Sequence, residues 1–259
     1  MPAELLSHSQ GQTMVLTISN PEQRNALGPA IYAAGIEAMS VAESSAEVRS
    51  VVITGSGTQF CAGGNLQRLL SNREHPPSVQ AQSIEGFHNW IECIRTFSKP
   101  VIAAVEGAAA GAGFSVALAC DLIVAASDAV FVMAYSNIGL SPDGGGSWHI
   151  GRALPRQLAT ELLMLGERIT PQRLHVLGMV NKISAPGTAL AEALALAERL
   201  NARAPNATSS VKDLLNDASH TTITQHLAKE RDHFVANLHH DNAGIGINAF
   251  LAKDPPQFL

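Results

Sequence analysis

The sequence predicts an α/β protein in which helices cover a sheet. Three observations carry this: short β-branched runs at Thr13–Ser19, residues 48–54 and Val101–Val105, helical spacing in the stretches between them, and glycine-rich corners where strand gives way to helix. The first run ends in Asn20-Pro21 and the second in Gly55-Ser56-Gly57, both turn signals. Between them, residues 30–43 repeat small and apolar residues at helical spacing. Residues 79–97 form an amphipathic helix pattern through Ile84, Phe87, Ile91 and Ile94, stopped by Pro100. From Gly107 the order repeats, with a glycine-rich stretch, a short apolar helix and a strand at residues 121–125. Beyond Ser184 the strand signal fades, and residues 189–200, 207–215, 221–239 and 244–252 read as helices. The stretch Asn201-Ala202-Arg203-Ala204-Pro205 is the expected boundary between a core of residues 1–200 and a helical segment of residues 201–259.

With 259 residues, 46% hydrophobic and only 15% charged, the chain can bury a large core. Seventeen Lys+Arg against twenty-two Asp+Glu, a net charge of -5, lacks the basic excess that holds a phosphate polymer, so no nucleic-acid partner is expected. Cys61, Cys93 and Cys120 are widely spaced and set among apolar residues, as free thiols of a reducing compartment are. His239 and His240 have no Cys or carboxylate at ligand spacing, so no metal is expected. Residues 1–10 hold an acid, no Lys or Arg and no apolar stretch, unlike a signal peptide. The apolar run of residues 107–120 is too short to span a bilayer, which needs roughly 17–25 residues. A cytoplasmic protein without a membrane partner is expected.

Two glycine-rich corners follow strands: Phe60-Cys61-Ala62-Gly63-Gly64-Asn65 and Ala110-Gly111-Ala112-Gly113-Phe114. Glycine at such a corner either makes a tight turn or lets free backbone N–H groups approach a ligand, and the residues alone leave both open. A dinucleotide fingerprint is disfavoured, since its third glycine would fall on Val116.

Five blocks stand in order along the chain. They are Arg24-Asn25-Ala26-Leu27, Phe60-Cys61-Ala62-Gly63-Gly64, Lys99 to Gly107, Ala117-Leu118-Ala119-Cys120-Asp121 and Ile138-Gly139-Leu140-Ser141-Pro142-Asp143-Gly144-Gly145-Gly146. Together these blocks resemble the crotonase (enoyl-CoA hydratase/isomerase) superfamily, and the resemblance covers nearly the whole chain. It implies a spiral of ββα units and a C-terminal helical segment used for trimerisation, giving a homotrimer or hexamer. It also implies an acyl-CoA substrate, with coenzyme A as part of that substrate and no separate cofactor. Gly64 and Ala112 map to the residues whose N–H groups stabilise a thioester enolate, and Ala62, two residues before the first of them, is a candidate substrate-binding residue. Arg24 and Ala26 map to the coenzyme A contact, with Arg68 and Lys253 as further candidate phosphate contacts.

Hydratases of the superfamily use two glutamates, and the matching positions are Ser115 and Tyr135, neither a carboxylate base. Asp143 falls where several isomerases carry a catalytic aspartate. Shifting a double bond from the 3- to the 2-position removes a proton at C2 and delivers one at C4, which one carboxylate can do. The bland reading of Asp143 is an N-cap of the helix beginning near Gly145. Tyr135 is expected to line the acyl pocket or to hydrogen-bond Asp143, with simple packing as the bland reading. His88, twelve residues before Pro100, matches with Asp143 the base and nucleophile of 4-chlorobenzoyl-CoA dehalogenase. The tryptophan and phenylalanine that hold that enzyme's ring are replaced here by Tyr135 and Gly64, and the bland reading of His88 is a helix-surface or pocket-wall residue. Enoyl-CoA isomerase is thus the leading expectation. Hydratase, dehalogenase-like hydrolase, a non-catalytic acyl-CoA-binding member and an RNA-binding member stand behind it, the last disfavoured by the acidic charge.

Overall fold

The computed structural model describes residues 3–259. The signal-peptide reading touches Met1 and Pro2, which lie outside them, but Glu4–Gln10 is already strand β1, paired antiparallel with β2 (Thr13–Ser19). A six-stranded sheet has the order β1-β2-β3-β4-β6-β9, with β3 at Ser50–Gly55, β4 at Val101–Val105, β6 at Leu122–Ala126 and β9 at Lys182–Ser184. From β2 onward every pair is parallel. A three-stranded sheet combines β5 (Ala108–Ala110), β7 (Val130–Val132) and β8 (Arg168–Ile169). The chain alternates between them: β4 joins the large sheet, β5 the small one, and helix α4 (Ala112–Ala119) follows; β6, β7 and α5 (Gly146–Ala153) repeat the step. This is the spiral of ββα units.

The β-branched runs are apolar throughout because both sheet faces are covered. Val15, Val52, Ile102, Ala104 and Val124 face α8 (Ala189–Asn201), whose Ala189, Ala193 and Ala197 recur every four residues and let the helix lie close. The alternate residues Leu16, Ile18, Val51, Ile53, Ala103 and Val105 join the larger core with α1 (Pro29–Ser44), α3 (Pro77–Thr96) and α4, including the buried Trp90, Phe87 and Phe114. Short helices α2 (Leu66–Asn72), α6 (Arg156–Leu165) and α7 (Pro171–Val176) fill the connections.

After α8 come α9 (Pro205–Ala218), α10 (Ile223–Leu238) and α11 (Asp241–Ala252). Lys212 of α9 ties them to the core, donating to Asp121 at 2.8 Å and to the carbonyl of Ile94 at 3.1 Å, while Asp121 also accepts from the N–H of Val101. Glu106 accepts from the N–H groups of Gly187 and Ala189 and so holds the start of α8. Two acids inside the signature blocks, Glu106 and Asp121, are therefore structural. No helix among the described residues is long and apolar enough to cross a membrane, and none of their His, Cys, Asp and Glu side chains group as metal ligands.

Candidate active site

Parallel strands β3 and β4 end side by side, so the segments leaving them meet. Asn25 organises the first. It is fully buried in a left-handed conformation (φ 59°), its Oδ1 accepts from the N–H of Asn20, and its Nδ2 donates to the carbonyls of Ser56 and Gln59. This brings the turn after β2 against the turn after β3. Residues 61–63 are then stitched on both flanks: Ala62 N–H to Arg24 and Leu27 N–H to Gly63 on one side, Cys61 N–H to Ala108 and Ala110 N–H to Cys61 on the other. Both glycine corners thus become one structure.

Contact distances explain the glycines. A Cβ on Gly113 would lie 2.4 Å from the carbonyl oxygen of Cys61, and one on Gly63 (φ +95°) would lie 2.7 Å from that of Ala110 and 3.5 Å from the nitrogen of Ala112. The N–H groups of Gly64 and of Ala112, the first residue of α4, have no acceptor among the described residues. Two unused donors at facing corners can receive one oxygen that gains negative charge.

Asp143 reaches the same place. Its carbonyl accepts from Ser115 Oγ at 2.9 Å and from the N–H of Gly146, and its Oδ1 accepts from the Tyr135 hydroxyl at 2.5 Å. The N-cap of α5 is Gly145, with no side-chain cap, so Asp143 does not have the capping role. The tyrosine ring and hydroxyl are 3.5–3.7 Å from where a Cβ of Gly111 would be, next to Ala112. Burial raises the Asp143 carboxyl above its usual range, opposed by the Tyr135 hydrogen bond and the charge of His88. Burial and the adjacent carboxylate also push the Tyr135 phenol up, so it stays a donor.

His88 is on α3 beside Phe87, with its side chain exposed and near enough to act on Asp143 electrostatically. On the far side of the corners a groove of about 1010 Å³ follows the strand ends, lined by Arg24, Thr54, Gln59, Ala62, Ala110 and Arg168 among others. Arg24, an expected coenzyme A contact, and Ala62, an expected substrate-binding residue, both line it, and Arg168 adds a guanidinium that no sequence motif marked. Three expected contacts fall elsewhere. Ala26 is buried under the turn with N–H and carbonyl both bonded, to Gln23 and Asn20. Lys253 ends α11, far along the helical segment, and does not line the groove of its own chain. Arg68 turns away from the groove to donate to Ser83 Oγ on α3 at 2.7 Å.

The fold and these corners agree with the comparisons. The enoyl-CoA hydratase/isomerase family description matches residues 8–259. The chain belongs to that family. It is 34% identical to the 1,2-epoxyphenylacetyl-CoA isomerase of Escherichia coli K12 over 255 residues, covering 98% of this chain and 97% of that one. It is 30% identical to the 2,3-dehydroadipyl-CoA hydratase of the same organism, covering 99% and 98%. The crystal structure of an enoyl-CoA hydratase from Polaromonas sp. JS666 superposes with a TM-score of 0.98 at 68% identity, covering 99% of this chain and all of that one. These relatives bear the names of both reactions. The choice between them rests on the side chains at the site.

Proposed function

We propose that this member of the family is an enoyl-CoA isomerase in which Asp143 moves the proton. The observation that carries this reading is the Asp143 carboxyl, anchored through its backbone and by Tyr135 beside the free N–H groups of Gly64 and Ala112. The thioester carbonyl oxygen accepts from both N–H groups. Asp143 takes a proton from C2 to give the enolate, and the same carboxyl returns a proton to C4 as the double bond moves to the 2-position. The proton taken and the proton given balance, so no other reactant enters. The coenzyme A portion lies in the groove of Arg24 and Arg168. The reading is tested by following a 3-enoyl-CoA to its conjugated isomer and C2 hydrogen exchange in deuterated water.

Hydration is the competing reading, favoured by the names of several relatives. Against it, Ser115 Oγ is spent on the Asp143 carbonyl and Tyr135 is a phenol held protonated, so no second carboxylate is on hand to activate water. Crotonyl-CoA should therefore give no 3-hydroxyacyl-CoA. A dehalogenase-like hydrolase would need His88 to activate water on an ester of Asp143, and chloride release from 4-chlorobenzoyl-CoA would reveal it. A binding-only member would retain an acyl-CoA without turnover.

Tyr135→Phe removes the hydrogen bond that favours ionised Asp143. The carboxyl then rises further, and because the ionised form is the base, the acid limb of kcat/KM should move to higher pH. Turnover near neutrality should fall about tenfold. An unmoved acid limb would separate Tyr135 from the titration of Asp143.

The C-terminal helices expose Leu215, Ile223, Phe234, Phe250 and Leu251, an apolar surface that association would bury. We propose that copies of this chain cover it in a trimer or hexamer. Light scattering should give one of those masses, and deletion from Ser219 onward should dissociate or unfold it.

A further inference from the structure

Arg68 is a cation without an anion. No carboxylate lies within salt-bridge distance of it among the described residues, and its Nε is buried with no hydrogen-bond partner. Its Nη1 is fixed by Ser83 Oγ at 2.7 Å. A half-buried guanidinium held this way keeps its Nε edge unused, the edge that receives a carboxylate in the bidentate mode.

The surroundings set Arg68 near both the donor corner and the Asp143 turn. Ser83, Gly86 and Phe87 share one face of α3 by helical spacing. Phe87 lies against the Asp143 turn, 2.3 Å from where a Cβ of Gly144 would be, and its ring lies tilted against that of Tyr32, centroids 5.1 Å apart. Tyr32 also lies 3.8 Å from the would-be Cβ of Gly86. Ser83 is thus one turn of α3, about 6 Å of axial rise, beyond the residue touching the Asp143 turn. From the other side, Leu69, next to Arg68 in α2, stands 3.7 Å from the would-be Cβ of the donor Gly64. Arg68 and Asp143 both act electrostatically on the buried Tyr32 phenol, and Arg68 is also within hydrogen-bonding reach of its hydroxyl. The wall itself is lightly held. No residue of α2 is buried, and besides the Arg68 to Ser83 bond it is pinned to α3 by Asn72 to Gln80 at 2.6 Å.

We propose that Arg68 recognises an anionic group, a carboxylate, at the end of a short acyl chain whose thioester lies at Gly64 and Ala112. This deepens the isomerase reading and rests on it for the placement of the thioester. The substrate class is then a coenzyme A thioester of a dicarboxylic acid. The carboxylate supplies the charge that the protein withholds from Arg68 and an acceptor for the unpartnered Nε.

The test uses the full-length protein and two probes that differ only at the far end, 3-hexenedioyl-CoA and 3-hexenoyl-CoA. Wild type should favour the carboxylate-ended probe, and Arg68→Met should lower its kcat/KM by about 10- to 100-fold while changing that of 3-hexenoyl-CoA less than about threefold. Arg68→Lys should keep part of the preference. Calorimetric binding of the saturated analogues, adipyl-CoA and hexanoyl-CoA, should show the same Arg68-dependent difference without any turnover. Ser83→Ala, which cuts the strut but keeps the charge, should retain the preference. Equal losses for both probes in Arg68→Met and in Ser83→Ala would make Arg68 a strut and overturn the proposal, as would a wild type indifferent to the terminal group. Arg68-dependent binding with no isomerisation of either probe would leave the subsite standing and remove the isomerase reading. Isomerisation without the binding preference would do the reverse.

Discussion

Asp143→Asn should abolish most isomerisation of a 3-enoyl-CoA, lowering kcat by about 10²–10⁴-fold, the range for loss of a positioned general base. Binding of the acyl-CoA should survive, because the donors at Gly64 and Ala112 and the groove at Arg24 are untouched. The variant should also be no less stable. Asparagine keeps an oxygen that accepts from Tyr135, and the wild-type carboxyl has a folded pKa raised by burial. For an acid raised on folding, the favourable contribution is fully present below the unfolded pKa and is lost as pH rises through the folded one. At neutral pH the wild type therefore carries an unfavourable titration term that the variant lacks, and its Tm should not exceed that of Asp143→Asn. Isomerisation at the wild-type rate in the variant would assign the proton to another group.

Ala112→Pro is the second large effect. Ala112 opens α4, where the fixed φ of proline is accommodated and no intrahelical bond is lost. What the substitution deletes is one of the two free N–H groups, and kcat should fall by about 10²–10³-fold, the effect of removing one oxyanion donor, worth roughly 2.7–4 kcal/mol. Circular dichroism should show the fold retained. A folded variant with unchanged turnover would exclude the Ala112 N–H from the reaction.

Much of the fold was legible because its signals are local. Strands β2, β3, β4 and β6 are continuous apolar runs with turn residues at their ends, and the C-terminal helices repeat at 3.6 residues. Strands β5, β7, β8 and β9, of two or three residues each, were missed because such segments have no periodicity and form only where a partner strand is supplied. β1 was missed for a different reason. It lies at a sheet edge with five of its last five residues exposed, so no apolar alternation marks it.

By itself, the sequence determined the layered α/β core, the two glycine corners and the identity of the acid at position 143, since these follow from residue type and spacing along the chain. Only the tertiary structure decided what those residues face. That the corners form one site depends on Asn25 tying the turn after β2 to the turn after β3, 31 and 34 positions away, and on Cys61 bonding across to Ala108 and Ala110. That Asp143 is a side chain aimed at Tyr135, not a helix cap, depends on a hydroxyl brought from eight residues away. That Arg68 leaves the groove for Ser83 depends on how α2 packs on α3. A side chain's type is written in the sequence, but its protonation and its partners are set by burial and by distance, and both come from packing segments that are remote in the chain.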